Sequence, residues 1–232
     1  MKSESITLPS KKRKVRKNIL LITVLLLVLF FIYVLLPVNI EVYMNDDSLS
    51  SAIGSLHPRR IELNGISIKE QPDSTTCGIT TVTVISNYFN CTAYEVNDLL
   101  NKYNSKGTTD TAELLQLELS EREVNFISNV TNDKMIRDIH ASLNRGNPVV
   151  VYFGAPNPYN KPFYDSHASV IYGINLDSKT ITIANSYGFS EEISLVDFLN
   201  RMSYAERNKY TFAQRFLWKF FTVNKNMYII VE

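Results

Sequence analysis

The chain has 232 residues, of which 45% are hydrophobic and 20% are charged, and its formal net charge is +1. This composition is typical of a globular protein with room for one sizeable domain. Residues 1–17 hold seven of the basic residues, so the rest of the chain carries 17 bases against 22 acids. We therefore expect no basic face for nucleic acid.

The chain contains only two cysteines, Cys77 and Cys91. A domain held together by disulfides would use more, and no Cys/His cluster has the spacing of a structural zinc site. We expect Cys91 to be a small buried residue and Cys77 to be a free thiol. A bridge between the two would exclude any nucleophilic role for Cys77.

A basic tail at residues 1–17 precedes an apolar run from Ile19 to Leu36 that holds no charged residue. Eighteen helical residues span about 27 Å, close to the hydrocarbon thickness of a bilayer. We therefore predict a transmembrane helix at residues 18–36 that is an uncleaved signal anchor rather than a signal peptide. The positive-inside bias places the tail in the cytoplasm and the following domain outside it. The basic run at residues 11–17 also fits a nuclear-localisation signal, but the adjacent apolar run argues against that interpretation.

Residues 37–60 are polar and mixed and are predicted to form a linker, so that the folded domain covers residues 61–232. After a short extended segment, Ile61–Ile68, apolar residues recur first at helical and then at strand spacing. The predicted helices are 76–88, 93–102, 112–122, 132–144 and 195–202, and the predicted strands are 124–128, 148–153, 167–174, 179–184 and 227–231. The Pro-, Asn- and Gly-rich segment 154–166 is predicted to be a loop. Helices come before strands, which indicates an α+β fold rather than alternating βαβ units.

Cys77 falls in the first turn of the first predicted helix of this domain, after a polar loop rich in turn formers. The partial positive charge at a helix N-terminus favours a thiolate. A lone cysteine is more often buried and inert, but the loop before it and Gly78 after it favour a reactive thiol. We therefore predict that Cys77 is a catalytic nucleophile.

His167 opens a predicted strand, where the backbone can fix the rotamer of a general base. His140 lies inside a predicted helix and is expected to be a packing or surface residue. Pairing of the strands 167–174 and 179–184 as a hairpin sets His167 opposite Asn185, whose side-chain oxygen could accept the ring N–H. Asp165 and Asp177 are alternative orienting acids, although Asp177 falls at the turn, far from His167.

Gln71 stands six residues before Cys77. Its side-chain N–H and the backbone N–H of Cys77 would face the negative charge that develops on a carbonyl oxygen during attack, so we predict an oxyanion role for Gln71. A loop glutamine is ordinarily part of a polar surface, and this prediction therefore depends on the rest of the set.

Four motifs in this order resemble those of the papain superfamily of cysteine peptidases: Gln71, Cys77-Gly78, His167-Ala168-Ser169-Val170 and Asn185-Ser186-Tyr187-Gly188. The short domain and its lead-in look most like the branch related to bacteriocin-leader-processing peptidases. That branch usually has Asp-Pro where this chain has Asn185-Ser186. Its members that are fused to exporters act in the cytoplasm, whereas this domain is expected outside, so cleavage after a double glycine is not carried over.

The resemblance implies a papain-like fold, with the nucleophile at a helix N-terminus and the helical part packed on a C-terminal antiparallel sheet. It also implies that a Cys77-His167-Asn185 triad cleaves peptide bonds through an acyl-enzyme, without metal or organic cofactor. The expected partners are a peptide or protein substrate and membrane lipid, at a bacterial cell surface. Two alternatives stay open: acyl transfer to an amine by the same triad, and a non-catalytic peptide-binding module of a membrane complex.

Overall fold

The computed structural model describes residues 10–35, 46–104, 110–159, 163–220 and 224–232. The helices in these ranges are α1 (Ser10–Leu35), α2 (Asp46–Ile53), α3 (Cys77–Asn90), α4 (Val96–Lys102), α5 (Thr111–Glu118), α6 (Asn132–Asn144), α7 (Leu195–Met202) and α8 (Phe212–Phe220). The strands are β1 (Arg60–Glu62), β2 (Val124–Ile127), β3 (Val149–Pro156), β4 (Tyr164–Asn175), β5 (Thr180–Asn185), β6 (Phe189–Ser194) and β7 (Met227–Val231). The chain divides into two compact units, one holding α1 and α8 and the other holding the remaining elements.

The larger unit is built on a seven-stranded sheet in which every pairing is antiparallel. The strand order is β2-β7-β3-β4-β5-β6, and β1 pairs with the far end of β4. The long hairpin β3–β4 forms the centre of the sheet and continues into β5. The α+β class and the C-terminal antiparallel sheet are therefore confirmed.

Helices cover both faces of this sheet. Val149, Val150 and Val151 of β3 are all fully buried, although successive residues of a strand point to opposite faces. Val149 and Val151 belong to a core that includes residues of α2, α6 and α7. Val150 belongs to a second core that includes residues of α3, α4 and α5. The sheet thus separates two hydrophobic cores, and the run of β-branched residues in α3 is held by burial in the second core.

The structure places the most periodic segments where the sequence predicted them. Helices α6 and α7 and strand β7 have the predicted bounds. Side-chain caps form at two helix N-termini: the Ser194 hydroxyl accepts the Asp197 N–H, and the Asp110 carboxylate accepts the Ala112 N–H. A side-chain oxygen at these positions satisfies an N–H that the first helical turn leaves without a partner.

Four segments differ from the predictions. Both ends of the predicted loop 154–166 are strand, because Gly154 pairs with Ser166 and Pro156 with Tyr164 in the β3–β4 hairpin. The extended segment Ile61–Ile68 pairs only over β1. Strand β6 and helix α8 were not predicted.

The linker prediction is wrong for residues 46–53. They form α2, in which Leu49 and Ile53 are buried in the same core as α6 and α7. These two buried side chains hold the eight-residue helix against the core, although its other side chains are mostly small or polar. The core of the larger unit therefore begins before residue 61.

The apolar run near the N-terminus forms α1, and Phe30 of α1 contacts Phe216 of α8 edge to face, with ring centroids 6.0 Å apart. Within the part of the chain that the structure describes, no helix combines the length and apolarity needed to cross a membrane. The predicted transmembrane helix at residues 18–36 is thus supported as a helix up to Leu35 but not as a membrane span, and Leu36 lies outside the described residues.

Candidate active site

His167 and Asn185 meet on neighbouring strands, although not in the predicted pairing. Asn185 lies opposite Ser169, two residues from His167. The turn occupies residues 176–179, later than expected, and the pairing shifts by one residue between Ile171 and Gly173. Because side chains alternate with a period of two, this error leaves His167 on the same face as Asn185. The ring Nε2 lies 2.9 Å from Asn185 Oδ1 in a buried contact.

Ser186 makes a second contact with the same ring nitrogen. Its hydroxyl donates to the Ala168 carbonyl at 2.5 Å and lies 3.0 Å from His167 Nε2. Because that proton is committed to the carbonyl, the hydroxyl oxygen can only accept from the ring. Both neighbours of Nε2 are therefore acceptors, which protonates Nε2 and leaves the lone pair of the imidazole on Nδ1.

Aromatic rings enclose the imidazole. Tyr187 stacks on His167 with centroids 3.9 Å apart and an angle of 14° between the planes, and Phe153 approaches edge to face at 6.1 Å. His167 is consequently only 2% exposed. This burial lowers the pKa of His167 to about 4, against smaller upward effects of the Asn185 hydrogen bond and the Asp165 charge.

Cys77 is the first residue of α3 and has a free thiol. Burial raises the pKa of this thiol, and polar contacts to the backbone of Ala168 and Gly78 offset only part of the rise. The contact with Ala168 places Cys77 beside the residue that follows His167. The sequence predicted that the helix N-terminus would favour a thiolate, whereas the net shift of the Cys77 pKa is upward and its largest cause is burial.

Gln71 is held against the strand end that carries Asn185. Its backbone N–H donates to the Ser186 carbonyl at 2.7 Å, and the preceding Glu70 forms a β-bridge with Tyr187. The side chain is 2% exposed, and its Nε2 donates to the Asp73 carbonyl at 2.6 Å. The buried Oε1 has no hydrogen-bond partner among the described residues. The loop thus brings Gln71 to the strand end that carries Asn185 and Ser186.

The model of the Peptidase_C39 like family matches residues 63–212, more than half of the chain. The chain belongs to this family. It is therefore a papain-like cysteine peptidase, and a peptidase acts on peptide or protein substrates.

Among solved structures, the peptidase resembles the peptidase domain of Streptococcus ComA, which is described as a bi-functional ABC transporter involved in a quorum sensing pathway. The two chains are 14% identical, and the match covers 72% of this chain and 98% of the other with a TM-score of 0.45. No curated protein sequence matches the peptidase.

The other titratable candidates lie in separate environments. Cys91 is exposed and forms the left-handed C-cap of α3 at φ 51°, so the prediction that it is buried is wrong. His140 packs inside the fold, with Nε2 2.9 Å from the Pro58 carbonyl oxygen. Asp177 pairs with Arg59 at 2.9 Å, in the turn as predicted.

Asp165 lies close enough to the peptidase site for its charge to act on both His167 and Cys77. The Asn157 amide donates to its carboxylate. The described residues of the peptidase contain no group of three or more His, Cys, Asp or Glu side chains that could hold a metal ion.

Proposed function

We propose that the peptidase hydrolyses peptide bonds with Cys77 as nucleophile, His167 as general base and Asn185 as the residue that orients the base. The observation that carries this proposal is the buried 2.9 Å contact between His167 Nε2 and Asn185 Oδ1. It leaves Nδ1 as the nitrogen able to take a proton from a nearby thiol. The position of Cys77 next to the Ala168 backbone supports its pairing with this ring.

The reaction starts from a neutral thiol and a neutral imidazole, since burial raises the pKa of Cys77 and lowers that of His167. As Sγ attacks the substrate carbonyl carbon, the thiol proton moves to Nδ1. The same proton then passes to the leaving amine as the C–N bond breaks, which produces a thioester acyl-enzyme. Water attacks the thioester, gives a proton to Nδ1 and releases the acid, and the thiol regains its proton.

The proposed oxyanion site consists of the backbone N–H of Cys77 and the side-chain amide of Gln71. Only one proton of the Gln71 Nε2 is committed to the Asp73 carbonyl, so the second is able to donate to an oxyanion. Removal of one such donor typically costs about 100- to 1,000-fold in kcat.

The test compares Cys77→Ala with Cys91→Ala in the full chain, purified in detergent and incubated with fluorescein-labelled casein. Cys91 is the matched control because it is the other free thiol and lies exposed at the far end of α3. We expect Cys77→Ala to abolish release of labelled fragments and Cys91→Ala to retain it. Equal activity of the two variants would refute the assignment of the nucleophile. Added glycine amide in the parent reaction distinguishes hydrolysis from acyl transfer by the mass of the products.

We further propose that the apolar segment at residues 18–36 attaches the peptidase to a membrane, with residues 1–17 in the cytoplasm and the peptidase domain outside it. In support, every large apolar side chain of α1 from Ile19 to Ile32 is exposed, by 39% to 70%. A helix with this many exposed apolar side chains requires an apolar environment to cover them. The seven basic residues of the tail favour the cytoplasmic side.

Cys91 offers a direct test of this topology. The chain is expressed in intact bacterial cells as the Cys77→Ala variant, so that Cys91 is the only thiol, and is treated with a membrane-impermeant maleimide. We expect labelling without permeabilisation, and none in the Cys77→Ala/Cys91→Ser control. Labelling that requires permeabilised cells would contradict an extracytoplasmic domain.

A further inference from the structure

Asn185 has a second hydrogen-bond partner on the strand that sequence analysis missed. Its Nδ2 donates to Glu191 Oε2 at 2.8 Å. Strand β6 pairs with β5 so that Glu191 lies opposite Ile183, two residues before Asn185. The side chains of Ile183 and Asn185 point to the same face, so Glu191 reaches Asn185 diagonally across the hairpin.

Glu191 is itself fixed by Arg201, on the last turn of α7. Arg201 Nη1 lies 3.1 Å from Glu191 Oε1, and Arg201 Nη2 lies 2.7 Å from Asp197 Oδ2. The Arg201 and Glu191 side chains are only 10% and 18% exposed. Burial by itself would lower the pKa of Arg201, but its hydrogen bond to Asp197 and its attraction to Asp197 and Glu191 outweigh that effect and raise it. A continuous set of contacts therefore runs from His167 through Asn185 and Glu191 to α7.

The chemistry of these groups allows only one orientation of the Asn185 amide. A carboxylate only accepts hydrogen bonds, so the NH₂ end of the amide must face Glu191. The carbonyl end then faces His167, where it can only accept, and the ring must donate from Nε2. If the amide were reversed, its oxygen would lie against the Glu191 carboxylate and its NH₂ group against the ring N–H.

We propose that Glu191, held by Arg201, is a positioning residue of this peptidase that selects the His167 tautomer by fixing the direction of the Asn185 amide. This inference rests on the proposed function, because the His167 tautomer affects catalysis only if His167 is the general base. It also explains a neutral amide at position 185: a carboxylate there would face the carboxylate of Glu191 and be repelled by it.

The primary test is Glu191→Gln, which keeps the size of the side chain. A glutamine cannot accept from both Asn185 and Arg201, because one end of its amide is a donor. The Asn185 amide then keeps only the weaker restraint of the Tyr187 backbone N–H, which donates to Asn185 Oδ1 at 3.0 Å. We expect kcat on labelled casein to fall by about 10- to 100-fold with KM unchanged. Glu192→Gln, the exposed neighbour on β6, is the matched control and should retain the parent kcat.

A spectroscopic measurement distinguishes a change in the orientation of the Asn185 amide from a general loss of structure. In the ¹⁵N-histidine spectrum of the parent, assigned by the loss of signals in His167→Gln, we expect the Nε2–H tautomer of His167. Glu191→Gln should show a fraction of the Nδ1–H tautomer that the parent lacks, although the Ser186 hydroxyl still accepts from Nε2. Glu192→Gln should show the parent tautomer. A parent-like tautomer and kcat in folded Glu191→Gln would overturn the inference.

A rescue experiment covers the case in which Glu191→Gln does not fold. Asn185→Asp in the parent background places two carboxylates together, and we expect its kcat to fall at least as far as that of Glu191→Gln. The double variant Asn185→Asp/Glu191→Gln should be more active than Asn185→Asp alone. If Asn185→Asp has the kcat of the parent, Glu191 does not dictate a neutral amide and the inference fails. Retained activity in Cys77→Ala would instead refute the proposed function itself.

Discussion

The ring of Tyr187 lies parallel to the ring of His167, with centroids 3.9 Å apart. Tyr187 is held there by the β-bridge of its backbone to Glu70, and Tyr159 contacts its ring edge to face at 6.2 Å. The stack removes one face of the imidazole from water. Water stabilises the charged imidazolium more than the neutral ring. The stack therefore contributes to the burial that lowers the pKa of His167.

Replacement of Tyr187 by alanine should therefore raise the pKa of His167 from about 4 towards its ordinary value of 6.5. A protonated ring cannot take the thiol proton, so the acid limb of the pH–activity profile should move to higher pH. The pKa is measured by ¹H NMR titration of the imidazole C–H signals, and the activity on labelled casein across the same pH range.

Tyr187→Phe is the matched control for this change, because it keeps the stacked ring and removes only the hydroxyl. We expect its His167 pKa and its acid limb to match those of the parent. An unchanged His167 pKa in Tyr187→Ala would mean that the rest of the pocket alone excludes water from the ring.

The neutral Cys77–His167 pair makes a second prediction about reactivity. In a Cys91→Ser background, alkylation of Cys77 by iodoacetamide should accelerate continuously with pH, with a midpoint above that of an ordinary thiol, because burial raises the pKa of Cys77. The rate is followed by mass spectrometry of the intact chain. A fast and pH-independent rate between about pH 5 and 7 would instead indicate a preformed thiolate–imidazolium pair.

The lowered pKa of His167 also predicts how stability depends on pH. The unfolded chain binds a proton at His167 below about pH 6.5, while the folded chain resists protonation until about pH 4. The contribution of the neutral ring is complete above pH 6.5 and is lost as the pH falls to 4, at a cost of about 3 kcal/mol. The free energy of unfolding in urea should show this loss in the parent, and His167→Gln should lack this component of it.

Periodicity explains why much of the sheet could be predicted from the sequence. Strands β3, β5 and β7 and helices α6 and α7 carry long apolar patterns with caps or turns at their ends. Strand β6 does not: four of the six residues in Phe189–Ser194 are polar, as expected of an exposed edge strand. Helix α2 is too short for its three core residues, Leu49, Ala52 and Ile53, to establish a period.

The same limits decided what could be predicted of the site. The predicted contact between His167 and Asn185 is correct although the predicted strand register is wrong by two residues. A shift of two residues keeps each side chain on the same face of the sheet. Glu191 could not be found, since its approach to Asn185 depends on the unpredicted strand β6. The burial that keeps Cys77 and His167 neutral arises from residues distant in sequence, such as Phe153 and Tyr187, and no local pattern reports it.

Gly188 links the strand end of the site to the loop that carries Gln71. Its φ of +93° is favourable only for glycine, and a Cβ there would lie 2.8 Å from the Cβ of Glu70. Gly188→Ala should displace Glu70 and the adjoining Gln71, and lower kcat on labelled casein by about tenfold or more through the oxyanion site.

Gly146→Ala is the control that separates strain from displacement. Gly146 has a similar φ of +83°, but an added Cβ there would meet no atom within 4 Å. Both variants should lose comparable stability from the strained backbone, roughly 1 kcal/mol, while only Gly188→Ala should lose kcat. Equal kcat values in the two variants would show that an added Cβ at Gly188 does not disturb the function of the Gln71 loop.

Helix α2 provides the last prediction, because its place in the core decides where the folded domain begins. Leu49 is fully buried among residues that include those of α6 and α7. Leu49→Ala should destabilise the peptidase by about 2 to 5 kcal/mol, the usual cost of truncating a buried leucine. Urea unfolding measures this change, with Ser51→Ala, an exposed position on the same helix, as a control expected to stay within about 0.5 kcal/mol of the parent. If Leu49→Ala were as stable as Ser51→Ala, residues 46–53 would behave as the linker that the sequence predicted, because a linker has no core contacts to lose.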